Sequence, residues 1–247
     1  MMKRIWVTRA KEELDSAKKI VEKYGFEFVG IPLIEFERLN IPVLKENFEA
    51  IVFSSKTGVR FFFEEKFLRD ILKKAKIVFC VGKETQSSLK NYLEKYSINI
   101  NLAPLPKKFQ GEDLANLLLK YNIKSILAPG PKKRRKVLFD ILKDKKINIV
   151  KLDLYQTKIR KLSEEEKNLV LTSQAVTLTS PSTFQALLEN KLLKFLLKNK
   201  THFLVIGDVT AKEVRKYVPS NFIIKPDIFT FEEMIKAYKN YLNRSLL

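Results

Sequence analysis

The sequence predicts an α/β chain made of two doubly wound parallel-sheet domains joined by a two-stranded antiparallel linker. Three observations lead there. Short strands rich in Val, Ile and Phe alternate with amphipathic helices along the chain, the pattern of parallel sheets covered on both faces. The pattern also repeats. Ser54-Ser55 and Thr179-Ser180, Val81-Gly82 and Ile206-Gly207, Thr85 and Thr210, and Tyr92 and Tyr217 are each 125 positions apart. An offset of 121 matches Ile5 with Ile126, Ala17 with Leu138, Ile20 with Ile141 and Phe28-Val29 with Ile149-Val150, and an offset of 120 matches Phe109 with Phe229 and Leu114 with Met234. Finally, Phe26–Phe36 and Ile147–Ile159 are alternating or continuous apolar stretches with strand character. They read as two crossing strands, one leaving and one returning. Residues 1–35 with 158–247 then form one domain and 36–157 an inserted second one; simple tandem halves are the alternative that the repeat alone leaves open.

Each element follows from local pattern. Residues 3–8 read as a strand, and Lys11–Tyr24 carries Leu14, Ala17, Ile20, Val21 and Tyr24 at helical spacing before Gly25. Ala50–Phe53 is an apolar strand ending in Ser54-Ser55, followed by a helix with Val59, Phe62, Phe63 and Leu68. Ile77–Val81 is the next strand, ending in Gly82, with a helix from near Thr85; Ile98–Leu102 is a weaker strand. Phe109–Leu114 opens a helix through Leu119, Ser125–Ala128 is a strand and Lys132–Lys145 a strongly basic helix. After the return strand, Ser163–Val170 is a short helix with Ser163 and Glu166 at capping-box spacing. Ala175–Leu178 leads into Thr179–Ser182 and a helix to about Lys198; His202–Ile206 leads into Gly207 and a helix over Val209–Tyr217. Phe222–Lys225 is a strand, and Thr230–Tyr241 closes the chain as a helix with Thr230 and Glu233 again at capping-box spacing.

Composition bounds the function. The chain is 45% hydrophobic, yet no apolar run approaches the roughly 18 residues of a membrane span. The N-terminus runs into a strand with too short an apolar core for a secretory signal, so a cytoplasmic location and no membrane partner are expected. One cysteine, Cys80, allows no internal disulfide and suits a reducing compartment; within Ile77–Val81 it reads as packing, not as a nucleophile. The net charge of +19 fits nucleic acid, an anionic surface or a small polyanionic substrate. Charge alone does not choose among them, and most lysines read as solvated helix surface.

Ligands of open α/β sheets bind beyond the carboxyl ends of the strands. Thr8, Ser54, Ser55, Thr85, Ser180, Ser182, Thr183 and Thr210 all fall there. Helix N-termini offer unpaired N–H groups and a positive dipole end, so several of them make a carboxylate or phosphate trap; ordinary capping needs the same residue types. Glycine-rich nucleotide loops and Cys/His metal spacings are absent from the sequence. His202, the one histidine, leads a strand and reads as structural. The Lys132–Lys136 run reads as a solvated basic face or an anion contact. Tyr155 reads as a strand aromatic packing the ladder or as a neutral proton donor facing an inter-domain cleft, since an ordinary tyrosine pKa is about 10.

Taken together, Val7-Thr8-Arg9, Val52–Ser55, Val81-Gly82 with Thr85, Arg135 with Leu138, Leu154–Thr157, Leu178–Ser182, Ile206-Gly207 with Thr210, and Pro226 with Thr230 and Glu233 resemble the uroporphyrinogen-III synthases over essentially the whole chain. The resemblance implies two flavodoxin- or Rossmann-like domains on a two-stranded ladder; because only two strands cross, the domains are expected to move as near-rigid bodies about Leu33–Arg38 and Leu154–Ile159. It implies a lyase of haem biosynthesis that closes the linear tetrapyrrole hydroxymethylbilane with inversion of its last pyrrole, through an azafulvene and a spiro-pyrrolenine, without metal, nucleotide or redox cofactor. Eight substrate carboxylates would engage the hydroxyl positions together with Arg9, Lys56, Gly82, Arg135 and Gly207, and Tyr155 would help the terminal hydroxyl leave. A monomer is expected, and no nucleic-acid partner. A non-catalytic binder of a polyanionic small molecule and a basic nucleic-acid-binding protein are the alternatives from other classes.

Overall fold

The computed structural model describes residues 2–106, 111–134, 137–145 and 147–244. Arg135, Lys136 and the Phe109 match lie outside the described residues. In chain order the regular elements are β1 (Arg4–Val7), α1 (Leu14–Lys23), β2 (Glu27–Gly30), β3 (Ile34–Arg38), β4 (Ala50–Phe53), α2 (Lys56–Glu64), α3 (Lys66–Lys74), β5 (Ile77–Cys80), α4 (Lys83–Lys95), β6 (Asn101–Leu102) and α5 (Gly111–Leu119). They continue with β7 (Ser125–Pro131), α6 (Val137–Asp144), β8 (Asn148–Ile159), α7 (Glu164–Val170), β9 (Ala175–Leu178), α8 (Pro181–Glu189), α9 (Leu193–Lys198), β10 (His202–Val205), α10 (Asp208–Val214), β11 (Ile223–Ile224) and α11 (Phe231–Arg244). The chain divides into two compact units, Met1–Phe36 with Lys158–Leu247, and Glu37–Thr157. They are called unit 1 and unit 2 below.

Unit 1 is built on the strand order β11-β10-β9-β1-β2, all parallel. Side chains alternate across it. Trp6, Val176, Leu178, Phe203 and Val205 enter one buried cluster with Phe184 and Leu187 of α8. Ile5, Val7, Ala175 and Leu204 enter the opposite cluster with Ala17 and Val21 of α1 and Met234 and Tyr238 of α11. Both faces are therefore apolar, which explains why these strands read as continuous hydrophobic runs. Unit 2 holds the parallel order β8-β7-β4-β5-β6, with β3 beside β8. The Leu39 N–H donates to the Leu154 carbonyl (3.0 Å) and the Arg160 N–H to the Leu33 carbonyl (2.9 Å). Partners climb on one chain as they descend on the other, so the two crossing segments run antiparallel.

The repeat offsets carry over onto these elements. β4 and β9, β5 and β10, and α2 and α8 begin 125 positions apart, and β1 and β7, and β2 and β8, begin 121 apart. The β1–β2 pair opens unit 1, whereas its counterpart β7–β8 closes unit 2. One fold is thus written in two circular permutations. In each, the order turns at the same place: between β1 and β9 in unit 1, and between β7 and β4 in unit 2. Loops leaving those neighbouring strands diverge to opposite faces, and such switch points are where α/β sheets bind ligands.

Several helix and strand boundaries differ from the sequence-based expectation. The Phe26–Phe36 strand is broken into β2 and β3 around Pro32, whose missing N–H cannot extend a ladder. The predicted Val59–Leu68 helix is two, because Glu65 is extended (φ −93°, ψ 120°). The expected Lys132–Lys145 helix has Lys132–Arg134 outside it; a run of positive charge opposes the positive dipole end of a helix.

The single predicted helix to Lys198 is α8 and α9, separated at Lys191. Lys191 has φ 59° and its N–H donates to the Leu188 carbonyl, while the Leu192 N–H reaches back to Leu187. The same paired closure ends α1 at Gly25 (φ 78°), α4 at Ser97 (φ 50°) and α9 at Lys200 (φ 54°). These are left-handed terminations that glycine usually supplies, and three of the four lack it. The Lys200 side chain is exposed, so its replacement removes no packing. Lys200→Gly is expected to raise the unfolding free energy by about 0.5–1 kcal/mol, the relief of the left-handed backbone less the entropy that glycine adds to the unfolded chain. A higher urea midpoint with unchanged slope is the expected reading; a lower midpoint contradicts it.

Candidate active site

At the switch point of unit 2, α2 begins hard against the end of β7. Ser55 caps α2: its Oγ accepts the Gly58 N–H at 3.0 Å. A Cβ on Gly58 would lie 3.2 Å from that Oγ and 3.5 Å from the Pro129 carbonyl oxygen, so glycine lets the helix turn and the strand end approach this closely. Ser54 is exposed, with its Oγ toward Gly130. Lys56 reaches Glu84 at 3.7 Å.

Tyr155 comes to the same place along β8. The β7–β8 register runs regularly from Ser125 opposite Asn148 to Gly130 opposite Asp153, then shifts so that Pro131 faces Tyr155. Leu154 is the extra residue of a β-bulge, and a bulge re-aims the side chains that follow it. Leu154 and Tyr155 are consequently both buried, at 0% and 4% exposure, where strict alternation would send one of them outward. The Tyr155 ring stacks on Phe61 of α2 with centroids 5.0 Å apart, and its hydroxyl lies 3.2 Å from Ser55 Oγ. Burial pushes the phenol above its ordinary value; the Ser55 hydroxyl and the charges of Arg134 and Arg60 oppose the shift without cancelling it. The phenol is therefore protonated throughout the neutral range.

Arg134 ties the strand ends together. Its Nη1 donates to the Ala128 carbonyl at 2.7 Å, its Nε to the Pro131 carbonyl at 2.8 Å, and its Nη2 to the Leu152 carbonyl at 3.2 Å and to the Asp153 carboxylate. The side chain is 12% exposed. Burial pulls its pKa down and Asp153 pushes it back up; a guanidinium remains charged in either case. Arg135, the neighbouring sequence-based candidate, lies outside the described residues. Nearby on the same sheet edge, the Gln156 amide donates to Glu37. Gly82 stands at the N-cap of α4, which has no side-chain cap, and Thr85 is buried in its first turn.

Unit 1 presents the matching strand ends. Ser180 caps α8 by accepting the Thr183 N–H at 3.2 Å, and its Oγ lies 2.8 Å from the hydroxyls of both Ser182 and Thr183. Thr8, fully buried, donates to the Thr177 carbonyl at 2.5 Å. The Arg9 guanidinium forks onto Glu13 at 2.6 and 3.2 Å and lies 5.0 Å from the Phe231 ring centroid. Gly207 heads α10 against the Phe229 ring, where a Cβ would meet ring carbon at 3.1 Å, and Thr210 is buried behind it. Thr8, Arg9, Ser180, Ser182, Thr183, Gly207 and Thr210 thus gather in unit 1, and Ser54, Ser55, Lys56, Gly82, Thr85 and Tyr155 in unit 2. Four of the predicted hydroxyls, on Thr8, Thr85, Thr183 and Thr210, are buried inside their units.

Burial pushes the Cys80 thiol up to about 12, which suits packing rather than nucleophilic attack. His202 is half-buried against Phe222, Tyr238 and Tyr241 at the opposite end of its strand from Gly207. Among the described residues no group of three His, Cys, Asp or Glu side chains could hold a metal ion, and no helix is long and apolar enough to cross a membrane.

The model of the family HEM4, uroporphyrinogen-III synthase HemD, matches residues 15–236. No curated protein sequence matches the chain. Among solved structures, uroporphyrinogen-III synthetase from Helicobacter pylori is 21% identical with a TM-score of 0.68 over 100% of both chains. A mutant uroporphyrinogen III synthase from Thermus thermophilus is 18% identical with a TM-score of 0.59, over 98% of this chain and 99% of that one. At these identities the two structures share the fold, and the family model carries the assignment. The chain belongs to the uroporphyrinogen-III synthase family, a cyclising lyase that converts hydroxymethylbilane to uroporphyrinogen III with loss of water.

Proposed function

We propose that Tyr155 is the proton donor of this reaction, and that the strand ends of each unit seat substrate carboxylates on helix N-termini. The observation that carries the first part is the Tyr155 hydroxyl 3.2 Å from Ser55 Oγ at the unit 2 switch point. Ser55 Oγ already accepts the Gly58 N–H. The Thr57 hydroxyl bonds the phenol as well; a hydroxyl both donates and accepts, so either can turn its O–H to the phenol oxygen as the phenol proton passes to substrate.

Hydroxide leaves poorly, and a phenol kept neutral by burial can protonate it. The proton passes to the substrate's terminal hydroxyl, the C–O bond breaks with its electron pair going to water, and pyrrole π electrons fill the vacancy. An azafulvene-type cation then faces the phenolate, which the Ser55 hydroxyl and the nearby arginine charge stabilise. Closure through a spiro-pyrrolenine releases one ring proton, which restores the phenol. Acid is therefore not consumed.

For the carboxylates, α4 offers an uncapped first turn behind Gly82, with exposed Lys83 beside it. α2 and α8 offer their first turns at Ser55 and Ser180. Backbone N–H groups with the helix dipole bind anions without a dedicated side chain. Arg9 contributes less in this reading, because an incoming carboxylate must displace Glu13 from it. Arg135 is retained as a substrate-binding residue on the strength of the family resemblance. A cytoplasmic monomer is also proposed: the lone buried thiol of Cys80 supports a reducing compartment, and the net charge of +19 disfavours self-association. Sedimentation at physiological salt checks the second point.

Freshly prepared hydroxymethylbilane, with the inverted and uninverted ring products resolved, tests the donor. Tyr155→Phe is expected to slow formation of the inverted isomer by about 10²–10⁴-fold, the usual contribution of general acid catalysis, with the fold intact. An unchanged rate would return Tyr155 to packing. Ser55→Ala is expected to cost about 1 kcal/mol of stability through loss of the cap, to raise the phenol pKa further, and to slow turnover less than Tyr155→Phe. A Ser55→Ala enzyme slower than Tyr155→Phe would make the serine, not the tyrosine, the group that meets substrate.

A further inference from the structure

We infer that Arg134 is a positioning residue for the reaction: its guanidinium locks the bulged strand end that carries Tyr155 and fixes a positive charge within electrostatic reach of the phenol. The inference rests on the reading of Tyr155 as donor. Its geometry is independent of that reading.

Ala128 and Pro131 are on β7, and Leu152 and Asp153 on β8, so the four acceptors of Arg134 span both strands on either side of the register shift. Carbonyls near a bulge lose their regular ladder partners, and a buried carbonyl without a donor is costly. One planar fork supplies three of these carbonyls at once. The Lys132 N–H then donates to the Tyr155 carbonyl at 2.8 Å, so the segment that Arg134 bends also grips the backbone of Tyr155 itself. A lysine has the charge but not the planar fork, and so cannot serve carbonyls on two strands together.

Charge is the second half of the role. The groups that face the phenol are the hydroxyls of Ser55 and Thr57 and the guanidinium of Arg60, all from α2 or its cap, and Arg134 from the β7 loop, whose charge is partly offset by Asp153 of β8. Arg134 and Arg60 both favour the phenolate. A cation held there lowers the cost of the anion that forms as the proton leaves.

Three variants separate positioning from mere scaffolding. Titration of Tyr155, followed by NMR on ring-labelled tyrosine and assigned by its loss in Tyr155→Phe, does not depend on turnover. Arg134→Gln is expected to move the Tyr155 midpoint upward and to lower kcat on the order of 10²-fold, the scale for displaced catalytic groups, with KM within about twofold. Arg134→Lys is expected to keep the midpoint near wild type yet lose kcat, because the charge stays and the fork does not. Asp153→Asn is expected to move the midpoint downward, since it removes only the anion that offsets Arg134, and it provides the test should Arg134→Gln fail to fold. Opposite shifts from removing the two partners of one ion pair are not produced by loss of stability. Midpoints unmoved by Arg134→Gln and Asp153→Asn, or a folded Arg134→Lys with wild-type kcat, would overturn the inference. A fully active Tyr155→Phe would instead overturn the donor reading and leave the titration to decide the placement of Arg134.

Discussion

Unit 2 depends on one register shift. Where β7 ends at Pro131, β8 carries one residue more than its partner, and Leu154 and Tyr155 both turn into the protein. Remove that extra residue and alternation resumes, sending the phenol to the other face of the strand. The shift lets a single strand, β8, serve as the edge of a parallel sheet in its first half and as part of an antiparallel crossing ladder in its second. It is also what brings an aromatic of the return strand over the first turn of α2. Beside it, Arg134 donates to carbonyls of both strands.

The two units share a fold and differ in what their strand ends carry. Ser55 and Ser180 lie 125 positions apart and make the same capping bond. At the offset of 121, however, Tyr155 falls on Ile34 and Arg134 on Glu13. In unit 1 the acid at that position pairs with Arg9. In unit 2 an arginine stands there, turned inward onto backbone carbonyls. Duplication thus explains the common scaffold of caps and switch points, and divergence at a few strand-end positions gives only one copy a phenol and its supporting cation. The phenol of unit 2 has no counterpart at the matching position of unit 1, whereas the capped helix N-termini at Ser55 and Ser180 are present in both copies.

Much of the scaffold was legible because its signals are local. Strands buried on both faces are continuous runs of Val, Ile and Phe, and Ser55 and Ser180 announce their helices by the capping chemistry of serine. Helix ends at Ser97, Lys191 and Lys200 were not legible, because each adopts a left-handed backbone without the glycine that usually marks it. The bulge at Leu154 has no signature in β8 alone; it exists only relative to the register of β7. Arg134 and Arg135 are indistinguishable as letters in a basic run. What sets Arg134 apart is a set of carbonyls on two strands 3–18 residues distant in sequence. The four buried threonines show the opposite limit, where a residue type suited to ligand binding is equally suited to packing a helix start against a sheet.

Whether Tyr155 donates the proton is tested most directly by changing the acidity of this one phenol without changing its shape. Fluorinated tyrosines of graded acidity placed at position 155 would keep the stack on Phe61 and the contact with Ser55 while lowering the phenol pKa stepwise. If Tyr155 gives its proton to the departing hydroxyl, the alkaline limb of kcat/KM for the inverted isomer moves to lower pH with each fluorine, in parallel with the phenol's own titration. A limb that stays in place while the phenol titration moves would contradict the assignment.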